Sequence, residues 1–245
     1  MYLTNRVVPI AGIVLILLAI GLIVTIGASF STGDYSPFER DEVAKYLADI
    51  NDNRTAVIIT GAVGIIIDGF LGVALAALLY VLFRDRSRVL ATAAFAGLLT
   101  QAALSLMVDG NNILLVIVAK DFAEGGPTGV AAGDPATLEV GRYIGMFTFL
   151  FTNVLFTSLG LALIALGSII TSAPNGAINP PRWLGWVACF AGACAELAWL
   201  VVIIDPAFVF FIGNFLGSII FLIGLGVWLL MHRDLQPAAG SAPGM

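Results

Sequence analysis

Residues 54–84 read RTAVIITGAVGIIIDGFLGVALAALLYVLFR, and between the two bounding arginines Asp68 is the only charged residue. A helix over this stretch aligns Gly61, Gly64, Asp68, Gly72 and Ala76 on one face, because residues three and four apart share a face. Stripes of small residues let helix backbones approach one another in a membrane, so this face is expected to meet other helices rather than lipid. An ionisable side chain inside a span is costly, which makes Asp68 a candidate functional residue.

The rest of the composition agrees with a membrane setting. The chain has 245 residues, 60% of them hydrophobic and 11% charged, with a mean hydropathy of +1.02. Soluble domains carry roughly 25% charged residues. The length is consumed by spans of about 20 residues each. No Lys/Arg run supplies the electrostatic footprint of a nucleic-acid binder. Cys189 and Cys194 fall on different faces of one apolar segment and read as small packing residues, not as a disulfide. The apolar run Val7 to Ala28 exceeds the 7–15 residues of a signal-peptide core and is expected to be a retained first helix.

Six spans follow along the chain, at about 7–29, 55–83, 89–119, 138–171, 182–204 and 207–231, in a single transmembrane domain over 1–234. Residues 235–245 are rich in Pro, Gly and Ala and read as a disordered tail. Between the first two spans, Val43, Tyr46, Leu47 and Ile50 recur at helical spacing and predict an amphipathic helix over about Pro37 to Ile50, with Ser36-Pro37 as its start. It lies over the bundle or at the interface, or forms a lid over an outward-opening cavity. Asp109-Gly110-Asn111-Asn112 leaves two readings open, a continuous third span or a turn that breaks it. Asp121 to Ala136 reads as an irregular loop. The short basic loop Arg84-Asp85-Arg86-Ser87-Arg88 marks a cytoplasmic connection and puts both termini on the cytoplasmic side.

Three further helices bring polar groups toward the level of Asp68. Glu196 follows Gly185, Cys189 and Gly192 on one face, with Trp199 after it. Asn153 shares a face with Thr157 and Gly160, and Asn214 adjoins the pair Gly213 and Gly217. At about 1.5 Å per residue, Asp68, Glu196, Asn153 and Asn214 all fall between the midplane and the outer interface. Asp109, Asn112 and Lys120 lie on one face of the third helix and would line the way out. Two carboxylates in a low dielectric do not both stay ionised without a compensating cation. The candidate ligands are oxygens, which suits protons or a hard cation better than zinc or haem. The one histidine, His232, sits at the inner end, and no cofactor is implied. Asp68 and Glu196 each stand 14 residues after a helix-opening arginine, Arg54 and Arg182, as in an inverted repeat.

Short motifs over most of the chain carry a resemblance to a known family. They are Ala11-Gly12, Asp68 followed by Leu71, Ala74, Leu75, Leu79, Tyr80 and Arg84, then Gln101-Ala102, Pro181-Arg182 and Leu184-Gly185. With these the chain resembles a bacterial and archaeal six-span membrane family known as domain of unknown function 4386. The resemblance implies an all-α integral membrane protein, in the cytoplasmic membrane of a prokaryote, with no assigned activity. Two function classes compete. One is a pocket that binds or transports a proton, a cation or a small polar solute. The other is a structural or interaction protein whose buried polar residues only fix helix packing. An enzyme using Asp68 and Glu196 as acid and base has the least support. The bilayer is the one partner the sequence requires, and a homo-oligomer is compatible with it.

Overall fold

Helix breakers are sparse in the apolar stretches, and the described chain is helical almost throughout. The computed structural model describes residues 4–29, 40–126, 131–172, 178–201 and 207–235. The helices are α1 (Thr4–Ser29), α2 (Arg40–Asp52), α3 (Arg54–Phe83), α4 (Arg88–Glu124), α5 (Pro135–Thr171), α6 (Arg182–Val201) and α7 (Ala207–Met231). No strand occurs among the described residues. Five helices, α1, α3, α4, α5 and α7, are long and apolar enough to cross a membrane. Their outer faces carry large apolar side chains such as Ile66, Phe70, Ile117, Leu161 and Leu216 in exposed positions. Such a surface on a single chain is suited to lipid rather than water.

Several expected boundaries move. Asp109 to Asn112 is not a turn, because α4 runs unbroken through it to Glu124. The turn residues fail to break the helix because an exposed or lipid-facing glycine costs a helix only ~1 kcal/mol, against the hydrogen bonds on either side. The expected irregular loop from Asp121 is therefore helical for its first four residues, and α5 already begins at Pro135, capped by Asp134, whose carboxylate accepts from the Ala136 and Thr137 amides at 3.0 and 3.1 Å. The amphipathic helix is present as α2. Its proposed start at Ser36-Pro37 and the tail from 236 onward lie outside the described residues.

The chain divides into two compact units. One comprises Met1–Ile20, Phe70–Ala102 and Leu155–Met245, the other Gly21–Gly69 and Ala103–Val154. In the first unit, helices adjacent in sequence pack through glycine. A Cβ at Gly72 would meet Ala102 of α4 at 3.1 Å, and one at Gly97 would meet the Ser158 carbonyl of α5 at 2.7 Å. Between α5 and α6 the contact is reciprocal. Gly160 and Gly192 each face the other's carbonyl oxygen, and so do Gly167 and Gly185, with Cβ-to-oxygen distances of 2.5–3.0 Å. Gly213 and Gly217 of α7 bring that helix onto Cys194 and Ala191 of α6, and Gly226 brings it onto Gly12 of α1. Both cysteines are free and act as packing groups.

In the second unit α2 is anchored by its apolar face. Val43, Leu47 and Ile50 are buried against Leu115, Val116 and Ala119 of α4, with Leu138 and Ile144 of α5 alongside. Gly141 makes room for the Leu47 side chain. This is a packed layer, as the 3, 4 and 7 spacing requires. Gly21 of α1 accepts Ile67 of α3 in the same way.

These contacts set two expectations. Gly192→Ala should lower the melting temperature of the purified protein, because overpacking typically costs ~1–3 kcal/mol, whereas Gly110→Ala, which enters open space, should leave it unchanged or raise it. Equal effects at the two positions would contradict the glycine contact. Leu47→Ala should cost ~2–5 kcal/mol locally, seen as faster amide exchange and proteolysis within α2. If α2 stays as protected as in the parent protein, it does not depend on this layer.

Candidate functional site

The stripe of small residues in α3 has an irregular spacing, and the structure shows why. Residues Ile65–Leu71 form a π-helical turn within α3. A π turn adds one residue, so the packed face advances by five positions instead of four. The buried positions are Gly61, Gly64, Gly69 and Gly72. Gly69, not Asp68, occupies the seam against α4, where it meets Leu106. Asp68 stands beside the seam, half-buried. The expectation that Asp68 sits on the stripe is thereby corrected, and the reason is the inserted residue.

What lies on the seam is the other acid. Asp109 of α4 is 6% exposed. Its carboxylate is laid directly over Gly64, where any β-carbon would collide with all three carboxyl atoms. One turn along, a Cβ at Gly61 would meet the Asp109 carbonyl oxygen at 3.2 Å. The Asp109 carboxylate therefore lies on α3 one turn before Asp68. Ser105, one turn before Asp109, is also buried, and Asn112 is half-buried on the same side of α4. Lys120 is exposed two turns further on. Among the described residues no basic side chain forms an ion pair with Asp68 or Asp109.

The remaining predicted residues are elsewhere. Glu196 is in the first unit, while Asp68 and Asp109 are in the second. Gly185, Cys189, Gly192 and Glu196 do share the face of α6 that meets α5. Glu196 packs against Gly160, where a Cβ would stand 2.7 Å from Oε1. That oxygen is buried and has no hydrogen-bond partner among the described residues. Asn214, 2% exposed, accepts a hydrogen bond from the Ser218 hydroxyl on its own helix at 3.3 Å. Asn153 donates to the Phe149 carbonyl at 3.0 Å within α5. Thr148 and Thr152 bond back one turn in the same manner, at 2.8 Å each. The structure thus places the Asp109 carboxylate against α3 one turn before Asp68, while Glu196 and Asn214 belong to the other unit.

Chemically, the α3–α4 pair offers carboxylate oxygens with a serine and an amide nearby. No group of three or more His, Cys, Asp or Glu side chains that could hold a metal ion occurs among the described residues. The pair suits a proton or a single small cation better than a transition metal, which wants nitrogen or sulfur donors. Depth arithmetic alone placed Asp109 only at the way out and did not find its contact with Gly64. A readable signal existed. Glycines at 61, 64, 69 and 72 are spaced by three, five and three, and the gap of five is where the π turn falls.

No curated protein and no solved structure matches the chain. One family model does, over residues 10–232, which takes in all of α2 to α7 and most of α1. By that match the chain belongs to the family described as domain of unknown function 4386.

Proposed function

We propose that the Asp68–Asp109 pair binds a proton or a single small cation inside a six-span membrane protein. In this reading α6 is the sixth span, both termini face the cytoplasm of a prokaryotic cell, and movement of the bound ion across the membrane is the activity served. The observation that carries the reading is the placement of the Asp109 carboxylate on Gly64, next to the π turn that holds Asp68. Two acids on facing helices with no basic partner need a positive charge between them, and a proton or cation supplies it. π turns occur frequently at functional sites, and this one contains Asp68.

The structural reading keeps a specific observation of its own. Asn153 and Asn214 make hydrogen bonds within their own helices, as residues that stabilise packing would. On this account Glu196 and Asn214 belong to helix packing even if the α3–α4 pair binds an ion.

Thermal stability of the detergent-purified protein, followed across pH, Na⁺ and Ca²⁺, separates the two. A ligand at 100 times its Kd adds about 2.7 kcal/mol to the native state. The wild type should respond to one of these conditions. Asp68→Asn and Asp109→Asn should each abolish the response, Gly64→Ala should weaken it by displacing Asp109, and Glu196→Gln should keep it. A response that survives in both aspartate variants would remove the pair from ion binding and leave the structural reading.

A further inference from the structure

The seam that holds Asp109 over Gly64 ends beneath α2. On α4, Asp109, Asn112 and Val116 follow one another at steps of three and four, and on α3 so do Gly64, Gly61 and Val57, so each set shares a face. Both faces lead away from the carboxylate toward the end of the helices that the proposed topology puts outside. Val116 is 7% exposed in the layer that includes Val43, Leu47 and Ile50 of α2, and Val57 packs against the same layer. The rise from Asp109 to Val116 is about 10 Å. Arg54, which opens α3, pairs with Glu124, which closes α4, at 3.4 Å, so the two helices lie side by side to their ends.

One residue, Asn53, joins α2 to α3. Its backbone amide and its side-chain Nδ2 both donate to the Asp49 carbonyl, at 3.0 and 3.1 Å, and its own carbonyl accepts from the Val57 amide at 3.2 Å. The corner is thus bonded to the last turn of one helix and the first turn of the next. Beyond it α2 is seated by its apolar face, while Lys45, Ala48 and Asp52 on the opposite face are exposed. A helix of 13 residues is marginal in water by itself, so this seat also sustains the helix. The layer is made of Val, Leu, Ile and Ala side chains, which offer an ion no oxygen, and a charge crosses such a layer only at high cost.

We propose that α2 is a hinged cap on the outer end of the α3–α4 seam, turning about Asn53, and that it unseats when an ion enters or leaves the Asp109 carboxylate. What passes the cap rests on the ion-binding reading above, whereas the closure rests on the packing of α2 alone. In the seated state Val43, Leu47 and Ile50 are at most 2% exposed and Asp109 is 6% exposed. Local opening of a short element takes less free energy than unfolding the whole chain. Access to Asp109 from outside then follows the fraction of time that α2 is unseated, and side chains that loosen its apolar face raise that fraction.

Access is measured on the full-length Asp109→Cys protein in detergent, as the rate at which a small, permanently cationic methanethiosulfonate labels position 109, read by peptide mass spectrometry. The native Cys194, buried in the other unit, reports general unfolding in the same sample. Labelling at 109 should be slow while α2 is intact. Leu47→Ala, and the smaller deletion Val43→Ala, should each speed it about tenfold or more with Cys194 unchanged. Lys45→Gln, on the exposed face of α2, should leave the rate as it was. Labelling that neither Leu47→Ala nor Val43→Ala accelerates, or that both accelerate equally at Cys194, or that Lys45→Gln accelerates as much, would overturn the cap. A labelling rate that ignores α2 beside an intact ion response in the thermal assay would overturn the cap alone. A rate that depends on α2 in a protein with no ion response would keep the cap and remove the ion.

Discussion

Close backbone contact at glycine is the constraint on which this structure depends. Lipid chains are as apolar as leucine, so burying leucine between two helices in a bilayer gains little, and association relies on tight packing. The reciprocal contacts of Gly160 with Gly192 and Gly167 with Gly185 place backbone carbonyls where a side chain would otherwise stand. They leave α5 and α6 little freedom of register. The same device brings α7 onto α6 and onto α1. Once the helices are locked this way, polar side chains on the seams have to be accommodated at fixed places. Glu196 is laid against Gly160 and Asp109 against Gly64 because only a glycine leaves room for a carboxyl group there.

The π turn in α3 follows from the same logic. Without the extra residue Asp68 itself would enter the seam, facing a helix that already presents Asp109 there. Two carboxylates would then share one low-dielectric contact, a costly arrangement. With the extra residue Gly69 takes the seam and packs on Leu106, and Asp68 is moved to its edge. The turn thus keeps Asp68 out of the seam that Asp109 occupies.

Much of the fold was legible because periodicity and length are local properties. The apolar runs located the long helices to within a few residues, and the 3, 4 and 7 spacing of Val43, Tyr46, Leu47 and Ile50 found α2. The face of α6 that carries Gly185, Cys189, Gly192 and Glu196 was also correct, since an undistorted helix keeps its phase over that distance. Phase was lost in α3 at Asp68, where one inserted residue puts Gly69 on the seam instead, while Gly72 and Ala76 are buried as their spacing predicts. Asp109-Gly110-Asn111-Asn112 kept two readings open because turn propensity is a weak preference that the surrounding helix overrides. The contact of Asp109 with Gly64 could not be read from depth, because depth says nothing about which face of which helix comes near.

The equal spacing of Asp68 and Glu196 from Arg54 and Arg182 invites the idea of two equivalent sites, and their surroundings argue against equivalence. Glu196 lies on the packed seam of a regular helix, with one buried oxygen that lacks a hydrogen-bond partner among the described residues. Asp68 lies off the seam of a helix with a π turn, one turn from the glycine that carries the Asp109 carboxylate. A lone carboxyl group pressed against a glycine backbone is a packing feature of one seam. A pair of acids is different in kind. Its charge depends on whether a proton or cation is present, so its energy responds to the solution outside the membrane. The proposed ion site is therefore assigned to α3 and α4, and Glu196 to the α5–α6 seam.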